Sequence, residues 1–311
     1  MKVLVTGASG FVGNHLIRWL PDTRFVIRAL VRRGSSPPPG VDIHLIDDLL
    51  ESELEAACAG MDAVVHLAAR VPRLNPSVSE TRLCREVNIA GTERLAEAAW
   101  RAGCRRFVFM STIKVHGEVG ACREDDPPKP QGVYAESKLA AERLLWQYHE
   151  AGKLEIVVIR PPVVYGLGAG TNFQALARAA NSGFPLPFGS ISNKRSFLAV
   201  ENLSSLVQAC LVDPRASGQV FLVSDREDLS TPQLVSLLAR DRPARLLRVP
   251  SILLKTLGTL VGRGYLVRRL SESLFVDSRK PEHLLGWHPV VSPHEALGRS
   301  LPRSGEEVRL G

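Results

Sequence analysis

The sequence has few cysteines, no long apolar run and no block of a single charge. Its five cysteines, Cys58, Cys84, Cys104, Cys122 and Cys210, are odd in number and widely spaced, with no Cys-x-x-Cys pair. This excludes a disulfide framework and offers no metal-ligand spacing, so they read as small buried hydrophobes in a reducing, cytoplasmic setting. Only Val3, Leu4 and Val5 form an apolar run before the first glycine, too short for a signal peptide. The most apolar later stretch, 252–261, is broken by Lys255 and Gly258 and falls short of the roughly 20 residues of a spanning helix. No membrane span is expected. Aromatics are 6% of the chain, and the 39 Lys+Arg against 32 Asp+Glu are scattered in ones and twos. The net charge of +7 therefore makes no nucleic-acid groove, and a phosphorylated small substrate suits it better.

What is present is the composition of an ordinary folded protein: 311 residues, 45% hydrophobic and 23% charged, enough for about two units of ~150 residues. Short apolar runs at 2–6, 25–31, 63–67, 107–111 and 155–160 alternate with helical spacing at 12–20, 52–58, 82–101 and 133–151. Continuous apolar strands alternating with helices indicate a doubly wound parallel α/β sheet. After Arg160 the rhythm becomes irregular, with helical patterns at 173–181, 202–211, 231–239, 252–260 and 281–285 and a short strand at 220–223. We expect a Rossmann dinucleotide-binding domain over 1–165, joined by strand and helix from about 196–225. The remainder of 166–311 is expected to be a smaller, mostly helical substrate portion at the carboxyl ends of the strands.

Three groups of residues carry chemistry. After the first strand, Gly7, Gly10 and Gly13 stand three apart around Ser9, Phe11 and Val12 and run into a helix. Absent side chains let the backbone approach a pyrophosphate, and the helix N-terminus offers free N–H donors. Tyr134 and Lys138 stand four apart at the start of a helix, so a phenol and an ammonium share one face. Moving a proton on tyrosine at neutral pH requires its pKa, near ~10, to fall by about three units, which a nearby cation favours. Upstream, Ser111 and Thr112 place two hydroxyls at the carboxyl edge of a strand.

Together these features resemble the extended short-chain dehydrogenase/reductases, in the nucleotide-sugar epimerase/dehydratase branch. The matching segments are Thr6 to Gly13, Asp48-Leu49, His66-Leu67-Ala68-Ala69, Asn88 to Thr92, Thr112 to Gly117, Tyr134 to Lys138 and Arg160 to Gly166. The resemblance implies that Asp48 and Leu49 flank adenine, that Leu67, Ala68 and Ala69 line the dinucleotide, and that Pro161 and Val163 lie near the nicotinamide. It selects Thr112 over Ser111 as the catalytic hydroxyl, three residues before Val115-His116-Gly117, where His116 replaces the usual Tyr. Tyr134 would be the acid/base on the sugar oxygen, and Lys138 would lower its pKa and bind the nicotinamide ribose. Ser111, Thr112, Asn172 and Arg195 would meet the substrate, with Arg268 as a second phosphate contact and Arg269 its alternative. Ser196 follows Arg195 where the family usually has Asp.

The implied reaction is hydride transfer at C4 of a nucleotide-diphosphate sugar. A dehydratase is disfavoured, because Ile113 and Lys114 stand where dehydratases carry Asp-Glu. Of the two remaining chemistries, a 4-keto reductase in surface-polysaccharide sugar synthesis is the first expectation. A UDP-glucose or UDP-N-acetylglucosamine 4-epimerase with retained NAD is the alternative, and a non-catalytic NADP sensor the remote one. NADP is expected over NAD, since Val31 replaces the acidic residue that accepts from the ribose 2′-hydroxyl and Arg32 and Arg33 follow it. A homodimer through the helical patterns 82–101 and 133–151 is expected by resemblance. The stretch 252–270 reads as a helix and loop closing over the sugar nucleotide, with an anionic membrane surface as its alternative partner.

Overall fold

Seven parallel strands form one sheet in the spatial order Asp42–Ile46, Val26–Arg32, Lys2–Thr6, Ala63–His66, Arg106–Met110, Glu155–Arg160, Gln219–Leu222. This is a computed structural model, and it describes residues 1–20, 24–36, 40–72, 76–240, 243–260 and 262–300, with the backbone alone at 171–172. The strand order reverses between Lys2–Thr6 and Ala63–His66, which opens a crevice at the carboxyl ends of those strands where ligands of such sheets bind.

Both faces are covered, and the alternation of side chains along each strand sorts the core into two layers. Val3, Val5, Val65 and Val157 pack with Leu16 and Ile17 of the helix Phe11–Trp19 and with Leu203, Leu206 and Val207 of the helix Val200–Val212. Leu4, Val64, Phe107, Ile156 and Val158 face the opposite way, onto Leu95 and Ala99 of Gly91–Arg101 and Leu145 of Gly132–Glu150. Most of the expected strands and helices lie here within a residue or two, while the expected helix 52–58 is reduced to Glu55–Cys58.

Two other elements differ from expectation. Asp42–Ile46 is an edge strand with exposed Asp42, Ile43 and Leu45, so it lacks the continuous apolar run that marks a central strand. The expected helix 82–101 begins earlier, at a capping box of Ser77 and Glu80, and is broken by a π turn at Glu86–Ala90. That turn aims Asn88 inward. Its side chain accepts from the Arg70 N–H (2.8 Å) and donates to the Arg70 carbonyl (3.0 Å) and Ser137 Oγ (2.9 Å), tying the loop after Ala63–His66 to the helix that bears Tyr134 and Lys138.

Beyond the sheet, a third core gathers Tyr165, Ala177, Leu234, Leu238, Ala296 and Leu297 from the helices Thr171–Asn181, Thr231–Leu238 and Pro293–Arg299 and the strand Val163–Tyr165. Tyr165 donates to Asp225 (2.7 Å), which also accepts from Asn202 (2.7 Å) and the Ala199 N–H. This buried knot joins the third core to the sheet. Two short parallel pairs, Val163–Tyr165 with Phe197–Ala199 and Gly120–Cys122 with Leu274–Val276, carry the chain across the carboxyl edge. All five cysteines are free and buried. Among the described residues no helix is long and apolar enough to cross a membrane, and no group of His, Cys, Asp and Glu is placed to hold a metal ion.

Candidate active site at the carboxyl edge of the sheet

The glycine turn is built by close contact. Gly10 N–H bonds back to Gly7 O at 2.9 Å, and Gly7 holds φ +67°, where a Cβ would stand 2.8 Å from Ala68 N. A Cβ on Gly13 would lie 2.3 Å from Gly7 O. Each glycine is therefore required, Gly7 by its conformation and Gly13 by the packing of helix on loop. Ser9 and Gly10 are exposed at the helix N-terminus, which no side chain caps and which has no acid in its first turn. An anion fits such an end. Phe11 packs against Gly166, whose Cβ would meet its ring at 3.3 Å, while Val12 supports the core.

Thr6, His66 and Thr92 lock the floor below this turn. Thr92 donates to Asn88 O (2.7 Å), so it accepts from His66 Nε2 (3.0 Å); Thr6 Oγ1 accepts from Ala68 N–H (3.2 Å) and donates to His66 Nδ1 (2.7 Å). The bonds assign the Nε2–H tautomer. Burial first, and then Lys138, hold His66 down to about 3, so it stays neutral. Leu67, Ala68 and Ala69 follow beside the glycine turn.

Lys138 is 1% exposed, with Nζ 4.0 Å from the centre of the Phe109 ring. No hydrogen bond to Nζ is found among the described residues. Burial pushes this ammonium down to about 7 and the Tyr134 phenol, one turn away, up to about 12. In the ligand-free chain burial dominates both groups, and a lysine driven toward neutrality exerts little field on the phenol. A buried ammonium with no hydrogen bond among the described residues, a glycine turn without side chains and an uncapped helix end fit a dinucleotide, whose ribose hydroxyls and pyrophosphate offer acceptors and negative charge.

The two neighbouring hydroxyls part company. Ser111 points inward and donates to the buried Glu142, which also holds Arg160 (Nε–Oε1 3.1 Å), while Arg160 in turn donates to His116 Nε2 (2.8 Å). Burial and the guanidinium together hold His116 down to about 4. Ser111 thus spends its proton on Glu142 and is not among the residues that line the cleft. Thr112 lines the cleft, its Oγ1 accepting from Lys114 N–H (3.3 Å).

That cleft, with a cavity volume of about 110 Å³, lies between Thr112, Lys114, Glu118, Val163, Arg195 and Arg269. Arg195 donates to the carbonyls of Arg269 (2.8 Å) and Glu272 (3.1 Å), and burial, then Arg269, holds its pKa below the ordinary range. The acid missing after Arg195 comes from elsewhere in the chain: Ser196 donates to Asp228, which also meets Lys194 at 3.2 Å. Arg269, not Arg268, reaches the cleft. Arg268 is 61% exposed and pairs with Glu272 four residues on, so its guanidinium faces outward. The pairing was legible as an i,i+4 spacing, which leaves Arg269 on the face of Tyr265.

Sequence reasoning did not single out Glu118 and Tyr265. Tyr265 donates to Glu118 (3.1 Å), and Lys114 reaches both, at 3.1 and 3.3 Å. Burial works against the Glu118 carboxylate, yet hydrogen bonds from Lys114 and Tyr265 outweigh it and hold its pKa below the ordinary range. Pro161 is buried and accepts from Ile113 N–H (2.9 Å). Asp48 accepts from the Leu50 and Glu51 N–H groups (2.7 Å each), and Leu49 is buried against Gly91. Arg32 and Arg33 are exposed beyond the second strand, with Arg33 3.2 Å from Asp47. The Asn172 side chain lies outside the described residues.

The comparisons with known proteins agree with this geometry. The chain is 39% identical over 305 residues to a UDP-glucose 4-epimerase of Vibrio cholerae, covering 95% of this chain and 93% of the relative. It is 31% identical over 239 residues to the N-acetyl-alpha-D-glucosaminyl-diphospho-ditrans,octacis-undecaprenol 4-epimerase of Escherichia coli O157:H7, covering 76% of this chain and 70% of that one. Among solved structures it superposes on MoeE5 in complex with UDP-glucose and NAD, with TM-score 0.77, 27% identity and coverage of 96% and 97% of the two chains. The UDP-glucuronic acid 4-epimerase of Bacillus cereus in complex with NAD gives TM-score 0.77, 25% identity and the same coverage. With a glycine turn, a Tyr–Lys pair and a parallel sheet in this arrangement, and with the sequence model of the NAD dependent epimerase/dehydratase family matching residues 3–224, the chain belongs to that family.

Proposed function

We propose that the protein is an NAD-dependent 4-epimerase of a UDP-linked hexose. The observations that carry this reading are a cleft lined by Thr112, Arg195 and Arg269 and, on the helix packed against the turn that follows Thr112, the Tyr134–Lys138 pair, whose buried Lys138 makes no hydrogen bond among the described residues. Near-full-length similarity to a UDP-glucose 4-epimerase supports it over other chemistries. Bound NAD supplies a hydride acceptor and, in its oxidised form, a positive charge in the site. Tyr134 Oη exchanges the proton of the sugar C4 oxygen, and Thr112 Oγ1 donates to the same oxygen. Lys138 Nζ holds the ribose. Arg195 and Arg269 meet the diphosphate, for which their planar forks are suited.

A 4-keto reductase is the second reading, favoured by buried Val31 and exposed Arg32 and Arg33, which suit a 2′-phosphate and an exchangeable NADPH. The Arg33 pairing with Asp47 and the NAD bound in the structural relatives weigh toward NAD. The test is stoichiometric. UDP-glucose or UDP-N-acetylglucosamine supplied without added cofactor should interconvert with its C4 epimer without net cofactor consumption. No epimer, together with one NADPH consumed per UDP-4-keto sugar, would make the reductase correct.

The division at about residue 165, with 196–225 returning to the sheet, is proposed as the functional one. We also propose a homodimer through the helices Gly91–Arg101 and Gly132–Glu150, read out as mass by light scattering. Free buried thiols support a cytoplasmic setting, and similarity to an enzyme of an undecaprenol-linked sugar supports a surface-polysaccharide route.

A further inference from the structure

The helices Ser251–Leu260 and Gly264–Ser271 form a hairpin whose two faces differ. Its inner side is small: on the first helix only Gly258 is buried, and a Cβ there would stand 2.4 Å from Val267. The outer side carries Ile252 (76% exposed), Leu253, Leu257 and Leu260 (77% exposed), with Leu266 exposed on the second helix and Leu247 just before the hairpin. At 100° per residue, positions 252, 253, 257 and 260 fall on one side of the helix. Exposed leucines scattered singly need no explanation, but an aliphatic face of this kind marks an interaction site.

Charge identifies what it meets. Between residues 243 and 271 the sequence has Arg245, Arg248, Lys255, Arg263, Arg268 and Arg269 and no acidic residue. Arg245, Arg248 and Arg263 are exposed. Glu272, the first acid after this stretch, pairs with Lys255 (3.6 Å) and Arg268 (3.4 Å), which still leaves the surface strongly positive. An aliphatic helix face bordered by cations matches an anionic bilayer surface, with apolar side chains entering the headgroup boundary and arginines meeting phosphates. A protein partner with a plain apolar groove would leave these cations without counter-charge.

We propose that this hairpin docks the protein on an anionic membrane surface. The second helix also carries Tyr265 and Arg269 to the substrate cleft, so docking sets the mouth of the cleft near the headgroup layer. The proposal stands on the surface alone and holds whichever C4 chemistry the site performs.

The test is sedimentation of the full chain with vesicles of phosphatidylcholine containing about one third phosphatidylglycerol, at low salt. The protein is expected to pellet with these vesicles, to stay in solution with phosphatidylcholine alone, and to be released as salt rises. Ile252→Ser/Leu260→Ser and, separately, Arg245→Gln/Arg248→Gln/Arg263→Gln should each reduce the pelleted fraction by about fivefold or more. Both variants should retain NAD binding, which checks folding. No pelleting, equal pelleting with neutral vesicles, or binding unchanged in both variants overturns the proposal. So does a doubled mass in solution that Ile252→Ser/Leu260→Ser abolishes, which would assign the face to a second copy of the chain.

Discussion

Replacing Lys138 with Met should stabilise the ligand-free protein while disabling it. The ammonium is buried at 1% exposure and held at about 7 against its ordinary 10.5. At about 1.4 kcal/mol per pH unit, the interval makes its burial cost roughly 4 kcal/mol at pH 7. Met keeps the stem volume and places a thioether over Phe109, replacing part of the cation–π contact. A lysine whose folded pKa is depressed makes the native state bind fewer protons than the unfolded chain between pH 7 and 10.5. Wild-type stability from this group therefore rises with pH across that window, and its cost shrinks to roughly 2 kcal/mol at pH 9. Urea unfolding of both ligand-free proteins should show Lys138→Met ahead by roughly 4 kcal/mol at pH 7 and 2 kcal/mol at pH 9. NAD affinity should fall at least about tenfold, since the ribose loses its charged donor. A variant no more stable than wild type at pH 7, or an advantage that does not narrow at pH 9, refutes the reasoning.

Tyr134→Phe should lower turnover by about 10²–10⁴-fold with NAD affinity nearly unchanged; a variant keeping a tenth of wild-type activity with chemistry rate-limiting would remove Tyr134 from the proton transfer. Gly13→Ala should destabilise by roughly 3 kcal/mol, because its Cβ would meet Gly7 O at 2.3 Å and push helix from loop; thermal unfolding at wild-type Tm would contradict that. Arg269→Gln should weaken UDP binding about tenfold, while Arg268→Gln, which only loosens a surface pair, should not. Calorimetric titration with UDP separates the two. His66 and His116, held near 3 and 4, are neutral in the folded protein while the unfolded chain protonates near 6.5. Stability should therefore fall as pH drops below 6.5, by roughly 4 kcal/mol at pH 5 for the pair. His116→Gln, which keeps an acceptor for Arg160, should abolish about half of that loss in urea unfolding at pH 7 and 5.

Much of this protein was written locally. Central strands show in the sequence because both their faces are buried, so Lys2–Thr6, Ala63–His66 and Glu155–Arg160 are continuous apolar runs. The glycine turn and the Tyr134–Lys138 pair show because each depends on neighbours three or four residues apart, a spacing the chain carries without reference to anything distant. The edge strand Asp42–Ile46 did not show, since a strand bonded on one side and half exposed need not be apolar.

What tertiary structure decided lies where distant segments meet. Nothing local tells that Ser111 is spent on Glu142 while Thr112 opens on the cleft, because Glu142 arrives from a helix 31 positions later. Asp228 supplies the acid that is absent beside Arg195, and Tyr265 closes on Glu118 across 147 positions. The protonation states of Lys138 and Tyr134 are likewise tertiary. A pair four residues apart predicts a charged lysine lowering a phenol, whereas their shared burial drives the ammonium toward neutrality and raises the phenol, because desolvation is a property of the packed interior and not of spacing along the chain.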